Sequence, residues 1–91
     1  MLDFGFTERL KEQLKHLSKR DKPLAEAVKK KVAEIVSRDA QTIRGYKNLR
    51  APLNEFKRVH VGSFVLAFRF YEEKNFVYFD SFEHHDEAYG R

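Results

Sequence analysis

No cysteine occurs in the 91 residues of this chain. Disulfide staples, thiolate nucleophiles and cysteine-based zinc sites are therefore excluded, and a reducing compartment fits. Only four Gly and two Pro are present, so a low-complexity, disordered segment is not expected. Long apolar runs are also missing. The longest candidate, Phe64 to Phe70, falls far short of the roughly 20 residues that span a bilayer. The opening MLDFGFTERL carries Asp3 and Glu8 and no continuous apolar run, so it reads as neither a signal peptide nor a membrane anchor. A cytoplasmic protein is the expectation. No internal repeat interrupts the chain.

What is present is the material of a folded core. Hydrophobic residues make up 42% and aromatics 14%, with nine Phe and four Tyr. The length predicts one domain over residues 1–91, burying roughly two-thirds of its unfolded surface. Net charge is +4 but unevenly placed. Residues 1–50 hold 13 Lys/Arg against 7 Asp/Glu, or +6, while residues 51–91 hold 5 against 7, or −2. Such an excess suits capture of a polyanion, and equally suits a solvated basic surface.

Periodicity gives the element order. Leu2, Phe4 and Phe6 alternate with Asp3 and Gly5, which predicts a short first strand. Thr7 is placed to cap a helix, and Leu10, Leu14 and Leu17 line one face of it from Glu8 to about Ser18. Asp21 and Pro23 then open a second helix over Lys22 to Arg38, with Leu24, Val28, Val32 and Ile35 as its apolar stripe. From Glu55 the period becomes two. Lys57 to Val61, Phe64 to Phe70 and Phe76 to Phe82 read as three strands, joined at Gly62-Ser63 and Glu72 to Asn75. The prediction is an α+β domain of order β-α-α-β-β-β, with a helical hairpin on one face of an antiparallel sheet. The other face is left open for a site.

Alternation assigns the candidate residues. Val59 and Val61 should face the helices, leaving Arg58 and His60 together on the open face. Phe64, Leu66, Phe68 and Phe70 form a core row, so Val65, Ala67 and Arg69 should form the exposed one. The last strand ends in Glu83-His84-His85-Asp86-Glu87-Ala88-Tyr89, rich in proton donors and acceptors. His84 and His85 point apart in an extended chain, which does not suit a shared zinc. Lys29, Lys30 and Lys31 read as a solvated helix face, also able to touch RNA. Arg44, Lys47 and Arg50 fall in or near the loop before the sheet.

The run from Asn48 to Phe68, and above all Arg58-Val59-His60-Val61-Gly62-Ser63-Phe64-Val65 followed by His84-His85-Asp86-Glu87-Ala88-Tyr89, resembles the RelE/ParE toxin superfamily. That family shows an Arg-x-Arg-Val-Gly-Asp-Tyr-Arg type hairpin and a terminal His-Arg-x-x-x-Tyr. The preceding helical hairpin also fits, so the resemblance covers nearly the whole chain. RelE-type members are ribosome-dependent endoribonucleases that cut mRNA in the decoding site. The resemblance thus implies an mRNA-cleaving toxin with mRNA, the ribosome and a cognate antitoxin as partners, and no cofactor or metal. It implies catalytic roles for Arg58, His60, His85 and Tyr89. Arg58 falls where the family places a basic residue on the phosphate. Tyr89 matches the terminal aromatic, and His85 stands at a position that is often Arg. Candidate RNA-backbone contacts are Arg44, Lys47, Arg50, Lys57 and Arg69. Val65 is a departure, because many members carry a phosphate-contacting Arg there, and Arg69 lies four residues further on the same face. Two alternatives stay open. One is a ParE-like gyrase inhibitor, and the other is a degenerate member that only binds antitoxin or RNA.

Overall fold

A computed structural model describes residues 1–86. Strand β1 (Asp3–Phe6) leads into helices α1 (Glu8–Arg20) and α2 (Lys22–Val36), a short α3 (Ala40–Arg44), then β2 (Lys57–Val61), β3 (Phe64–Tyr71) and β4 (Phe76–His84). The expected α+β order is present. Thr7 caps α1 by accepting from Leu10 N at 3.1 Å, and Asp21 caps α2 by accepting from Leu24 N at 3.1 Å. Each cap satisfies a backbone donor that a helix start otherwise leaves open.

Three differences from the sequence reading have physical causes. First, α2 stops at Val36, where Ser37 turns the chain and Asp39 starts α3 by capping Thr42 N at 2.8 Å. Hydrogen bonding to that backbone and side chain holds the Asp39 carboxyl below its usual range. Ile43 of α3 is fully buried, so this one-turn helix is a plug for the core. Second, the sheet is mixed. Strands β2, β3 and β4 form the expected antiparallel meander, but β1 adds to β4 in parallel, giving the order β1-β4-β3-β2. A helical crossover between β1 and β2 brings the chain back in the direction that makes this pairing parallel.

Third, β4 carries a bulge. Ala67 pairs with Ser81 and Phe68 with Phe79, so Asp80 is an extra residue. An inserted residue reverses which side chains face the core beyond it. Val77 and Phe79 face the helices before the bulge, and Phe82 does so after it. Glu83 therefore lands on the open face.

The core lies between sheet and helices. Leu10, Val28, Ile35, Ile43, Leu66, Phe68, Val77 and Phe79 are all fully buried. Burying each such side chain contributes about 1.5–3 kcal/mol. Phe68 meets Phe79 at 5.7 Å and Tyr46 edge-on at 5.7 Å between ring centroids. The edge of β4 beyond β1 is covered by α1. Gln13 Oε1 accepts from Phe82 N at 2.9 Å, and Thr7 Oγ1 donates to the Asp80 carbonyl at 2.5 Å. Helix side chains thus replace a missing strand partner there.

Among the described residues, no helix is long and apolar enough to cross a membrane.

Candidate functional site

On the open face, register aligns two rungs across the sheet. His60 pairs with Val65, which pairs with Glu83; Arg58 pairs with Ala67, which pairs with Ser81. One end of this face holds the predicted histidines. The imidazoles of His60 and His85 stack with centroids 5.7 Å apart and planes 25° from parallel. A backbone bond makes this possible. His85 N donates to the Ser63 carbonyl at 2.9 Å, tying the end of β4 to the turn between β2 and β3. Both rings remain exposed. His85 Nδ1 lies 3.7 Å from Asp86 Oδ1.

Arg58, two residues from His60 on the same face, donates from Nε to the Asn48 carbonyl at 3.3 Å. That bond holds the stem of the guanidinium against the loop before β2. His60 and His85 are thus in contact, and Arg58 lies one rung along the same face. His84 turns the other way, edge-on to Phe64 at 5.4 Å between ring centroids, as alternation requires. Tyr89 lies outside the described residues.

Two expectations are corrected. Val65 and Ala67 share the open face, but they are 2% and 5% exposed rather than open to solvent. They sit on the inner strand β3, flanked by β2 and β4, and form a floor. Lys57 was expected among the RNA contacts. Its ammonium instead points into the loop before β2, donating to the carbonyls of Tyr46 at 3.1 Å and Arg44 at 3.2 Å. Burial lowers its pKa from the ordinary 10.5. The physical reason is parity: on β2 only Arg58 and His60 take the open side.

The remaining basic candidates are spread out. Arg44 forms a hydrogen-bonded ion pair with Glu72. Lys47 and Arg50 are exposed on the loop that packs along β2 through the Arg58 N to Lys47 O bond of 2.8 Å. Arg69 shares the open face, with its guanidinium carbon 5.5 Å from the Phe56 ring centroid and 5.1 Å from that of Tyr71. It also reaches Glu55 at 3.4 Å.

Sequence reasoning missed Glu83 as a member of this face. Its carboxylate is 13% exposed and accepts from Arg9 of α1 at 2.5 Å. Only the bulge at Asp80 puts it there, and no local signal marks that bulge. Chemically, the end of the sheet offers two proton-transfer groups, a cation and a nearby carboxylate. Among the described residues, no three His, Asp or Glu side chains converge as metal ligands.

No family model matches the chain. A protein of Methanocaldococcus jannaschii that bears the toxin name RelE4 is 51% identical over 77 residues, which are 84% of this chain and 78% of the relative. Among solved structures, a Helicobacter pylori toxin described as metal-bound superposes with a TM-score of 0.75 at 22% identity, covering 96% of this chain and 98% of that one. The intact E. coli RelBE toxin–antitoxin complex contains a chain that superposes with a TM-score of 0.71 at 20% identity, covering 92% and 96% respectively. At these identities the superpositions establish a shared fold.

Proposed function

The chain belongs to the RelE toxin family of toxin–antitoxin systems, and on that premise we propose that it is an endoribonuclease that cleaves mRNA on the ribosome. The observation that carries this reading is the stacked pair of His60 and His85 on the same sheet face as Arg58. In the proposed reaction the RNA 2′-oxygen attacks the adjacent phosphorus. A base takes its proton, the phosphorus–5′-oxygen bond breaks, and an acid protonates the departing 5′-oxygen. The products are a 2′,3′-cyclic phosphate and a 5′-hydroxyl. Histidine titrates nearest neutrality and serves either role. One of His60 and His85 acts as base and the other as acid. Arg58 stabilises the charge that builds on the phosphate. Tyr89 is assigned to orient or stack on a base. Lys47 and Arg50, with Arg44, are assigned to the backbone of the RNA; Lys57 is given up for that role because its ammonium is committed to loop carbonyls.

The experiment is cleavage on translating ribosomes. Wild-type protein should cut within codons, and His60→Ala and His85→Ala should each lose that activity. Uncut mRNA in the presence of folded wild-type protein would sink the nuclease reading.

A cognate antitoxin is the proposed protein partner. An apolar groove of about 430 Å³ runs between β1 and the helices, lined by Met1, Phe4, Phe6, Leu14, Val28 and Val36. Phe4 is 44% exposed within it. An exposed patch of this kind suits the apolar face of a partner helix or strand.

One observation favours a second reading, a family member that binds without cutting. Val65 occupies the middle of the His60 rung, where many relatives place a phosphate-contacting Arg. Ribosome binding with intact mRNA would select that reading.

A further inference from the structure

The open face has a second cluster, at the end away from the histidines. On β3 it holds Arg69 and Tyr71, and on β4 their register partners Tyr78 and Phe76. Phe56, just before β2, adds its ring against Arg69. Helices cover the opposite face, so these aromatics are not required by the core. A solvent-facing strand surface is ordinarily polar. Here it carries a chain of rings: Tyr71 to Phe76 at 6.5 Å and Phe76 to Tyr78 at 6.1 Å between centroids. All remain partly exposed. Two cations lie over them. The Arg69 guanidinium sits between Phe56 and Tyr71, and the Lys74 ammonium is 5.9 Å from the Tyr71 centroid.

Glycine at position 5 belongs to this arrangement. Gly5 is the register partner of Tyr78 on β1. A Cβ there would come within 3.2 Å of Phe76 Cζ and 3.7 Å of Tyr78 Cδ1. The missing side chain lets both rings lie across the neighbouring strand. Between this cluster and the histidines, the floor is made of buried Val65, Ala67 and Ser81. From Val65 to Arg69 the strand advances about 13 Å, a span of a few nucleotides.

We propose that Tyr71, Phe76 and Tyr78, with Arg69, form a stacking subsite for the bases of single-stranded RNA flanking the scissile phosphate. It rests on the nuclease reading for its substrate and extends that site along the sheet. Aromatic faces accept any base, and interleaved cations meet the backbone between stacked bases. The Arg69–Glu55 ion pair, partly exposed at 3.4 Å, is one a phosphate can displace.

The test uses an RNA hexanucleotide with every 2′-hydroxyl methylated, so that it binds without being cut, and an abasic hexamer with the same backbone. The chain has no Trp and four Tyr, so the part of the tyrosine quench that is lost in Tyr71→Leu and Tyr78→Leu reports on stacking at this subsite. The base-bearing hexamer should quench that emission and bind about tenfold or more tightly than the abasic one. Tyr71→Leu and Tyr78→Leu, which keep apolar volume but remove the ring, should each weaken binding about fivefold or more, while Glu12→Gln, at an exposed position of α1, should not. Circular dichroism checks that the variants fold. Equal affinity for the two hexamers, or leucine variants that bind like wild type, would overturn the subsite. So would tyrosine emission that responds to the antitoxin and not to RNA. The two readings fail separately. Base-dependent binding with mRNA left uncut removes the nuclease and leaves the subsite, whereas normal cutting by folded leucine variants with unchanged affinity removes the subsite alone.

Discussion

The Thr7 hydroxyl donates to the Asp80 carbonyl at 2.5 Å while accepting from Leu10 N at 3.1 Å. One side chain thus closes the start of α1 and holds the bulge of β4, 73 residues away. The bulge decides which residues of β4 reach the open face, so this small contact lies upstream of the site's geometry.

Replacing Thr7 by Ala removes both bonds. The expected cost is about 1–2 kcal/mol, from a lost cap and an unpaired, partly buried carbonyl. Thr7→Ser keeps the oxygen and should recover most of the loss. Urea denaturation of the three proteins measures it. Equal midpoints for Thr7→Ala and wild type would show that the bond carries no stability.

The proposed acid and base roles of His60 and His85 carry a pH signature. A base must be neutral and an acid protonated, so cleavage by wild type should follow a bell-shaped profile. His60→Ala and His85→Ala should each lower the rate by about 10²–10⁴. Both rings are exposed, so thermal midpoints should hardly move. Rates that stay flat from pH 5 to 9 would remove both imidazoles from proton transfer.

Lys57 links stability to alkaline pH. Burial lowers its folded pKa below 10.5, whereas the unfolded chain keeps the ordinary value. Between the two, the unfolded state binds more protons, so this group's contribution rises with pH. Below the folded value it is a constant penalty, offset by the bonds to Arg44 and Tyr46 carbonyls. Lys57→Met should flatten the wild-type rise in stability above neutrality and cost about 1–2 kcal/mol at pH 7 through the lost donors. Denaturation at pH 7 and pH 10 reads both effects.

Phe68 sits at the centre of the core, fully buried between Tyr46 and Phe79. Phe68→Ala should cost about 3–5 kcal/mol, a large share of the roughly 5–15 kcal/mol that holds a domain together. Leu53→Ala, at a site 45% exposed, should stay within about 0.5 kcal/mol. Calorimetric midpoints compare the two.

The sequence alone determined the elements whose cause is local. Hydroxyl and carboxylate caps at Thr7 and Asp21, helical stripes and period-two strands act within a few residues, so they can be read in order. Parity on β2 likewise determined that Arg58 and His60 share a face, because alternation is a property of one strand. The family resemblance carried His85 into the site. Three matters were decided only by the tertiary structure. Parallel pairing of β1 depends on where the crossover returns. Burial of Val65 and Ala67 depends on strands to either side of them. Placement of Glu83, and of the aromatic rings around Gly5, depends on the bulge at Asp80 and on a strand about 70 residues away. Each of these is a relation between distant segments, and the free energy that selects it comes from shared burial and hydrogen bonding that no single stretch of chain contains.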